Sequence, residues 1–226
     1  MSFLKKIVSP AYHILYWKNI VKNPVIEYDK NTSPKEVFHI GLRYFLYFSC
    51  AYMFFYFLVF LCAYPYYSKL NEALKIEFDA KGNSGLSYLL NSYPFNVAYI
   101  FSALALFIFY ITVFSYYLAK FLESESRSFL AHFGICLHST TGLITILFIV
   151  LIVNSVFPFS PQIGYVLFSL LIAAWMILFG IGIYLSTRIF TKASNKYFAQ
   201  NKRRASLTWL VPLFLICYFV FGVITA

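Results

Sequence analysis

Acidic side chains are scarce in this sequence. Asp and Glu together number 8 among 226 residues, and charged residues of both signs make up 12%. Soluble domains carry about 25% charged residues. With 61% of its residues hydrophobic, a water-exposed fold of this length has nowhere to hide its apolar surface, which excludes a soluble globular domain. Cysteine is equally sparing. Cys50, Cys62, Cys136 and Cys217 all fall inside long apolar runs without a CxxC pair or a Cys/His cluster, so they read as small buried apolar residues rather than as metal ligands or a redox pair. No Asp, Glu, Lys or Arg stands at the centre of any apolar run. Ion- and proton-coupled transporters use such groups despite their cost in lipid, and their absence argues against a coupled pump. No assembled Ser/His pair, carboxylate pair or metal-ligand set is legible either, so neither catalytic nor cofactor- or metal-binding residues are expected. The amino-terminal stretch lacks the continuous apolar core of a cleaved signal peptide, because Lys18 and Lys22 interrupt it.

What the sequence does have is five apolar runs, at residues 42–63, 97–118, 133–153, 164–185 and 207–226. A hydrocarbon core of about 30 Å needs about 20 apolar residues per helix. The expected fold is therefore an all-α membrane protein with five transmembrane helices, preceded by an amino-terminal amphipathic interfacial helix. Aromatic residues make up 22% of the chain, mostly Phe and Tyr; Tyr suits the headgroup level, where one end of the ring is wet.

Charge sets the expected orientation. Lys5, Lys6, Lys18, Lys22, Lys30, Lys35 and Arg43 precede or open the first run. The segment 64–96 balances Lys69, Lys75 and Lys81 against Glu72, Glu77 and Asp79. The segment 154–163 has no charge, and 186–206 holds Arg188, Lys192, Lys196, Lys202, Arg203 and Arg204 without an acid. Because Lys and Arg collect on the cytoplasmic side, the amino terminus is expected inside and the carboxyl terminus outside. The net charge of +10 then reads as a topology signal and an attraction for anionic headgroups on the cytoplasmic side. Nucleic acid is not expected as a partner, since the cations are split among separate juxtamembrane segments.

Two units follow. Residues 1–32 are expected to form a cytoplasmic amphipathic segment, with Phe3–Val21 either a short interfacial helix interrupted near Pro10 or an irregular arm packed on the bundle. Residues 33–226 form the five-helix domain. Ser33-Pro34-Lys35-Glu36 is a helix start: Ser33 caps, Pro34 suits the first helical position, and Glu36 reaches back to the cap amide. Pro65 is expected to end that helix. The outer loop 64–96 is expected to hold one short helix near Asn71–Asp79 and a turn at Lys81–Gly85. Pro158 and Pro161 set a tight turn between the third and fourth spans.

The third span is the polar one. His132 and His138 are six apart, about 240° around a helix, and do not share a face, so a two-histidine metal site on this helix is not expected. His132 and Cys136 do share one. The group His138, Ser139, Thr140 and Thr145 has two readings: glue between helices, or a patch facing a lipid headgroup or a partner's helix. In the fourth span Gly180 and Gly182, with Ala173 and Ala174, read as a packing seam. Lys202, Arg203 and Arg204 read as an anchor for anionic lipid.

Several segments together resemble the Yip family, five-pass membrane proteins named for interacting with Ypt/Rab GTPases and having bacterial relatives. They are Pro34–Phe38, Ser128-Phe129-Leu130, Trp175–Gly182, the basic stretch ending Lys202-Arg203-Arg204-Ala205, and the short terminal span. The brief amino-terminal segment departs from eukaryotic members, so the resemblance implies a bacterial-type relative in the cytoplasmic membrane, without a carried-over GTPase site. A compact apolar bundle with polar packing groups and no assembled active site makes the expectation a non-enzymatic accessory or scaffold subunit of a larger membrane complex, in lipid handling or membrane trafficking, with other membrane subunits as partners. The alternative is a permease-like subunit passing a lipid or other amphiphile.

Overall fold

The computed structural model describes residues 28–123, 127–156 and 165–225, together with the isolated positions Ser9 and Ala11. Among these the chain forms seven helices: α1 Pro34–Cys62, α2 Tyr64–Ala80, α3 Gly85–Asn91, α4 Asn96–Glu123, α5 Phe129–Val156, α6 Tyr165–Phe198 and α7 Lys202–Thr225. Four of them, α1, α4, α5 and α6, are long and apolar enough to cross a membrane. The protein is a multi-pass integral membrane protein. The interfacial helix expected over Phe3–Val21 and the turn at Pro158–Pro161 lie outside the described residues.

Helix α1 starts as its sequence dictates. Ser33 Oγ accepts from Glu36 N, and Glu36 Oε2 accepts from Ser33 N at 3.0 Å. Such reciprocal caps satisfy amides that no intrahelical carbonyl reaches. It ends as expected, at Cys62 with Ala63 as its cap; Pro65 lies in the first turn of α2, which follows at once and where a missing N–H costs nothing. The segment 64–96 is therefore more helical than its sequence suggested, with α2 and α3 joined by a turn at Gly82 (φ 65°). Asn71 of α2 fixes it to the entry of α4: its side chain donates to Tyr93 O at 2.8 Å and accepts from Tyr93 N at 2.9 Å.

The basic stretch expected as a loop over 186–206 is mostly helix. α6 continues to Phe198, so Arg188, Lys192 and Lys196 ride on it, and Lys202, Arg203 and Arg204 open α7. Only Ala199–Asn201 connect the two helices. Ala199 adopts the left-handed region (φ 55°), and Gln200 N–H donates to Ser194 O at 3.3 Å, closing the end of α6 with a bond six residues back.

Helix α5 is the hub, packed on α1, α4 and α6, while α7 packs on α4 and α6. The most apolar stretch of α5 is 67% buried, against 11% for that of α6. Packing on α5 relies on missing side chains. A Cβ on Gly41 would fall 1.8 Å from the Gly134 carbonyl oxygen, and one on Gly142 would fall 2.6 Å from the Ser186 amide nitrogen. Small residues let helix backbones touch where lipid supplies no hydrophobic drive for association. The seam expected at Gly180 is not there among the described residues: a Cβ on Gly180 would meet none of them within 4 Å, and Ala173 is exposed. Of that group Gly182 alone is buried, facing Ile146.

Residue pairings fix the helix directions. Gly41 meets Gly134 and Tyr52 meets Phe148, so α1 and α5 run parallel. Gly182 meets Ile146, Ser115 meets His132 and Phe190 meets Trp209, so α5–α6, α4–α5 and α6–α7 run antiparallel. One end of the bundle consequently collects Lys35, Arg43, Lys120, Arg127, Lys196 and Lys202. The other carries a tyrosine cluster, Tyr56, Tyr67 and Tyr93, with Tyr56 and Tyr93 stacked at 5.9 Å.

Candidate functional site

Helix α5 carries two buried polar centres on different faces. The first is His138. Its imidazole stacks on Tyr44 of α1, with ring centroids 4.2 Å apart, and on Tyr28, whose hydroxyl lies 2.9 Å from Nδ1. The neighbouring hydroxyls turn back onto their own helix. Ser139 Oγ donates to Ile135 O, Thr140 Oγ1 to Cys136 O and Thr141 Oγ1 to His138 O, at 2.6 to 2.9 Å. Of the residues singled out in sequence, His138, Ser139 and Thr140 are fully buried and Thr145 is 2% exposed. His138 and Thr145, seven apart, share a helix face, whereas Ser139 and Thr140 lie about 100° and 200° around it from His138. They do not form one patch. His138 Nε2, Thr145 Oγ1 and Ser186 Oγ have no hydrogen-bond partner among the described residues.

The second centre was not legible as a site. Glu123 and Arg127 fall between the apolar runs 97–118 and 133–153, yet their side chains are 9% and 4% exposed and pair at 3.0 Å. Arg127 Nη1 lies 3.2 Å from His132 Nδ1, and His132 Nε2 lies 2.8 Å from Ser115 Oγ, which is 3.7 Å from Cys136 Sγ. A guanidinium only donates, so Nδ1 accepts and His132 is held as the Nε2–H tautomer, donating to Ser115. Tyr116 donates to Arg127 O at 3.2 Å, and the guanidinium sits 4.2 Å above the Phe198 ring. The chain of contacts ties α4, α5 and the end of α6 together. The sequence signals were the spacing of Glu123 and Arg127 four apart and the shared face of His132 and Cys136; Ser115 and Phe198, distant in sequence, carried none. Among the described residues no group of three or more His, Cys, Asp or Glu converges as a metal site.

A third feature is an apolar groove of about 580 Å3 bounded by four helices. Leu104 and Phe107 of α4, Ile146 and Val150 of α5, and Met176 and Gly182 of α6 form most of its wall, α7 closes it, and its surface is entirely apolar.

The cationic end is exposed. Lys202, Arg203 and Arg204 occupy the first turn of α7, and Arg203 N–H donates to Asn201 Oδ1 at 2.9 Å. Lys192 lies within electrostatic reach of Arg188 and Lys202. Away from the spans, the Tyr67 phenol at the opposite end is pushed above its ordinary value by burial, with Tyr93 and Tyr66 adding to it.

The chain matches no protein-family model, and no curated protein and no solved structure is significantly similar to it. The resemblance to the Yip family therefore rests on the segments quoted for it.

Proposed function

We propose that this protein is a non-enzymatic accessory or scaffold subunit of a larger membrane complex that handles lipid. In this reading α7 is a fifth span, the amino-terminal segment lies on the cytoplasmic leaflet, and the carboxyl terminus is outside in a bacterial cytoplasmic membrane. The Yip resemblance adds membrane trafficking as a setting. One observation carries the proposal: the polar side chains of α5 from His132 to Thr145 are closed inside the bundle, while α6 turns apolar residues such as Met176, Ile177 and Phe179 outward. A bundle built that way offers its surroundings helix faces and an apolar groove rather than a polar solute path.

The cationic end supports contact with anionic headgroups. Lys202, Arg203 and Arg204 sit at the amino-terminal end of α7, where the helix dipole disfavours cations by about 0.3–1 kcal/mol each. Their placement works against the helix, and an anionic surface offsets it at about 1 kcal/mol per cation. Extraction in mild detergent followed by copurification tests the proposal. Stable companions are expected, and a strictly monomeric protein without any would overturn it. The second reading, permease-like passage of a lipid or amphiphile, is favoured by the groove; the α5 residues Ser139, Thr140 and Thr145, which the sequence offered as its path, are buried. Replacing those three with Ala or Val should leave transport intact, and the path would then run elsewhere.

A further inference from the structure

We propose that the groove between α4, α5, α6 and α7 seats the tail of one membrane lipid as an acyl-chain site; this rests on the lipid-handling reading and names its ligand. The wall carries no polar surface, so a headgroup, sugar or peptide backbone placed there would lose its hydrogen bonds to water without replacement. Depth gives the same answer. Trp175 on the wall is ten residues past the start of α6, about 15 Å along the helix, near the middle of a core about 30 Å thick. Tail ends reside at that level, and headgroups do not.

Length separates a tail from a helix. The α5 wall runs from Leu143 to Val150, which is about 10 Å. A helix from a second copy or a partner crosses about 30 Å of hydrocarbon, so this groove would hold only a third of it. It suits the inner part of a chain from a single leaflet. Gly182 closes α6 onto Ile146 at the base, where a Cβ would come within 2.8 Å of Ile146 Cγ1. Met176 stands on the rim, 62% exposed, and its unbranched thioether adapts to a mobile chain. The groove is continuous with the apolar outer face of α6, so a tail enters sideways from the bilayer.

The test uses the full chain in phosphatidylcholine vesicles containing a phosphatidylcholine with a diazirine near its tail end. After illumination, labelled residues are mapped by peptide mass spectrometry. Labels are expected on Leu147 and Val150 in the floor, and on outward Ile177 and Ile181 through ordinary bilayer contact. Leu147→Trp should fill the groove, removing the Val150 label while Ile177 and Ile181 keep theirs; Leu104→Phe, from the opposite wall, serves if that variant does not fold. Labels confined to the outward residues, or a Val150 label that survives both fillings, would overturn the proposal. The readout needs no companion subunit. A monomeric protein with a labelled floor would sink the accessory-subunit reading and leave this site standing.

Discussion

Ala199 occupies the left-handed region that closes α6, a conformation that crowds the Cβ of an L-residue against the following carbonyl and costs about 1–2 kcal/mol. Asn195 Nδ2 donates to Gln200 O at 2.8 Å, and Gln200 Nε2 to Thr208 Oγ1 at 3.2 Å, so the turn is held by side chains on both helices. Ala199→Gly should raise the thermal midpoint in detergent, by an amount equivalent to about 1 kcal/mol. Arg127 is a stronger case. Its guanidinium is buried between Glu123, His132 and Phe198. Removing one member of a buried pair leaves an uncompensated charge and costs about 3–5 kcal/mol, whereas replacing both by apolar groups is close to neutral. Arg127→Met alone should therefore unfold the protein far more readily than Arg127→Met combined with Glu123→Leu, as read by denaturation in mixed micelles.

At the level of elements, α1 and α5 depend on backbone contact. Gly41 and Gly134 face each other with no room for a methyl group, so Gly134→Val should separate the helices. Cross-linking between cysteines introduced at Tyr44 and Leu137 should then be lost, while Gly180→Val, facing open space, leaves it unchanged. Helix α2 has a pH limit. The folded-state value for Tyr67 is raised by burial, so the unfolded phenol ionises first, near pH 10. Stability from this contact is complete below about pH 10 and falls as pH climbs toward the folded value. Hydrogen exchange over 64–80 should quicken above that point, and Tyr67→Phe should flatten the dependence.

For the whole molecule, the separation of charge is the testable property. Alternating helix directions bring cations from α1, α4, α6 and α7 to one end. Changing Lys202, Arg203 and Arg204 to Gln should remove about 3 kcal/mol of attraction to an anionic leaflet. The ratio of anionic to zwitterionic lipid retained in copolymer-excised particles should drop, while Arg188, Lys192 and Lys196 keep the orientation. Reporter fusions at Lys196 and Ala226 check that orientation.

Apolar run length and capping chemistry were readable because both are local. Twenty apolar residues need a nonpolar solvent whatever their neighbours are, and Ser33 with Glu36 caps α1 using atoms three residues apart. The same local rules found the polarity of α5 and the cationic character of 186–206. They underestimated helix length in 186–198 and in α2, because charged residues and an early proline are tolerated once a helix has packing partners. Tertiary structure decided which way the polar groups face. Ser115 reaches His132, Tyr28 reaches His138, and Gly41 meets Gly134 only once separate segments of the chain pack side by side. The groove depends on the same step, since its wall comes from four helices and no single one of them is concave.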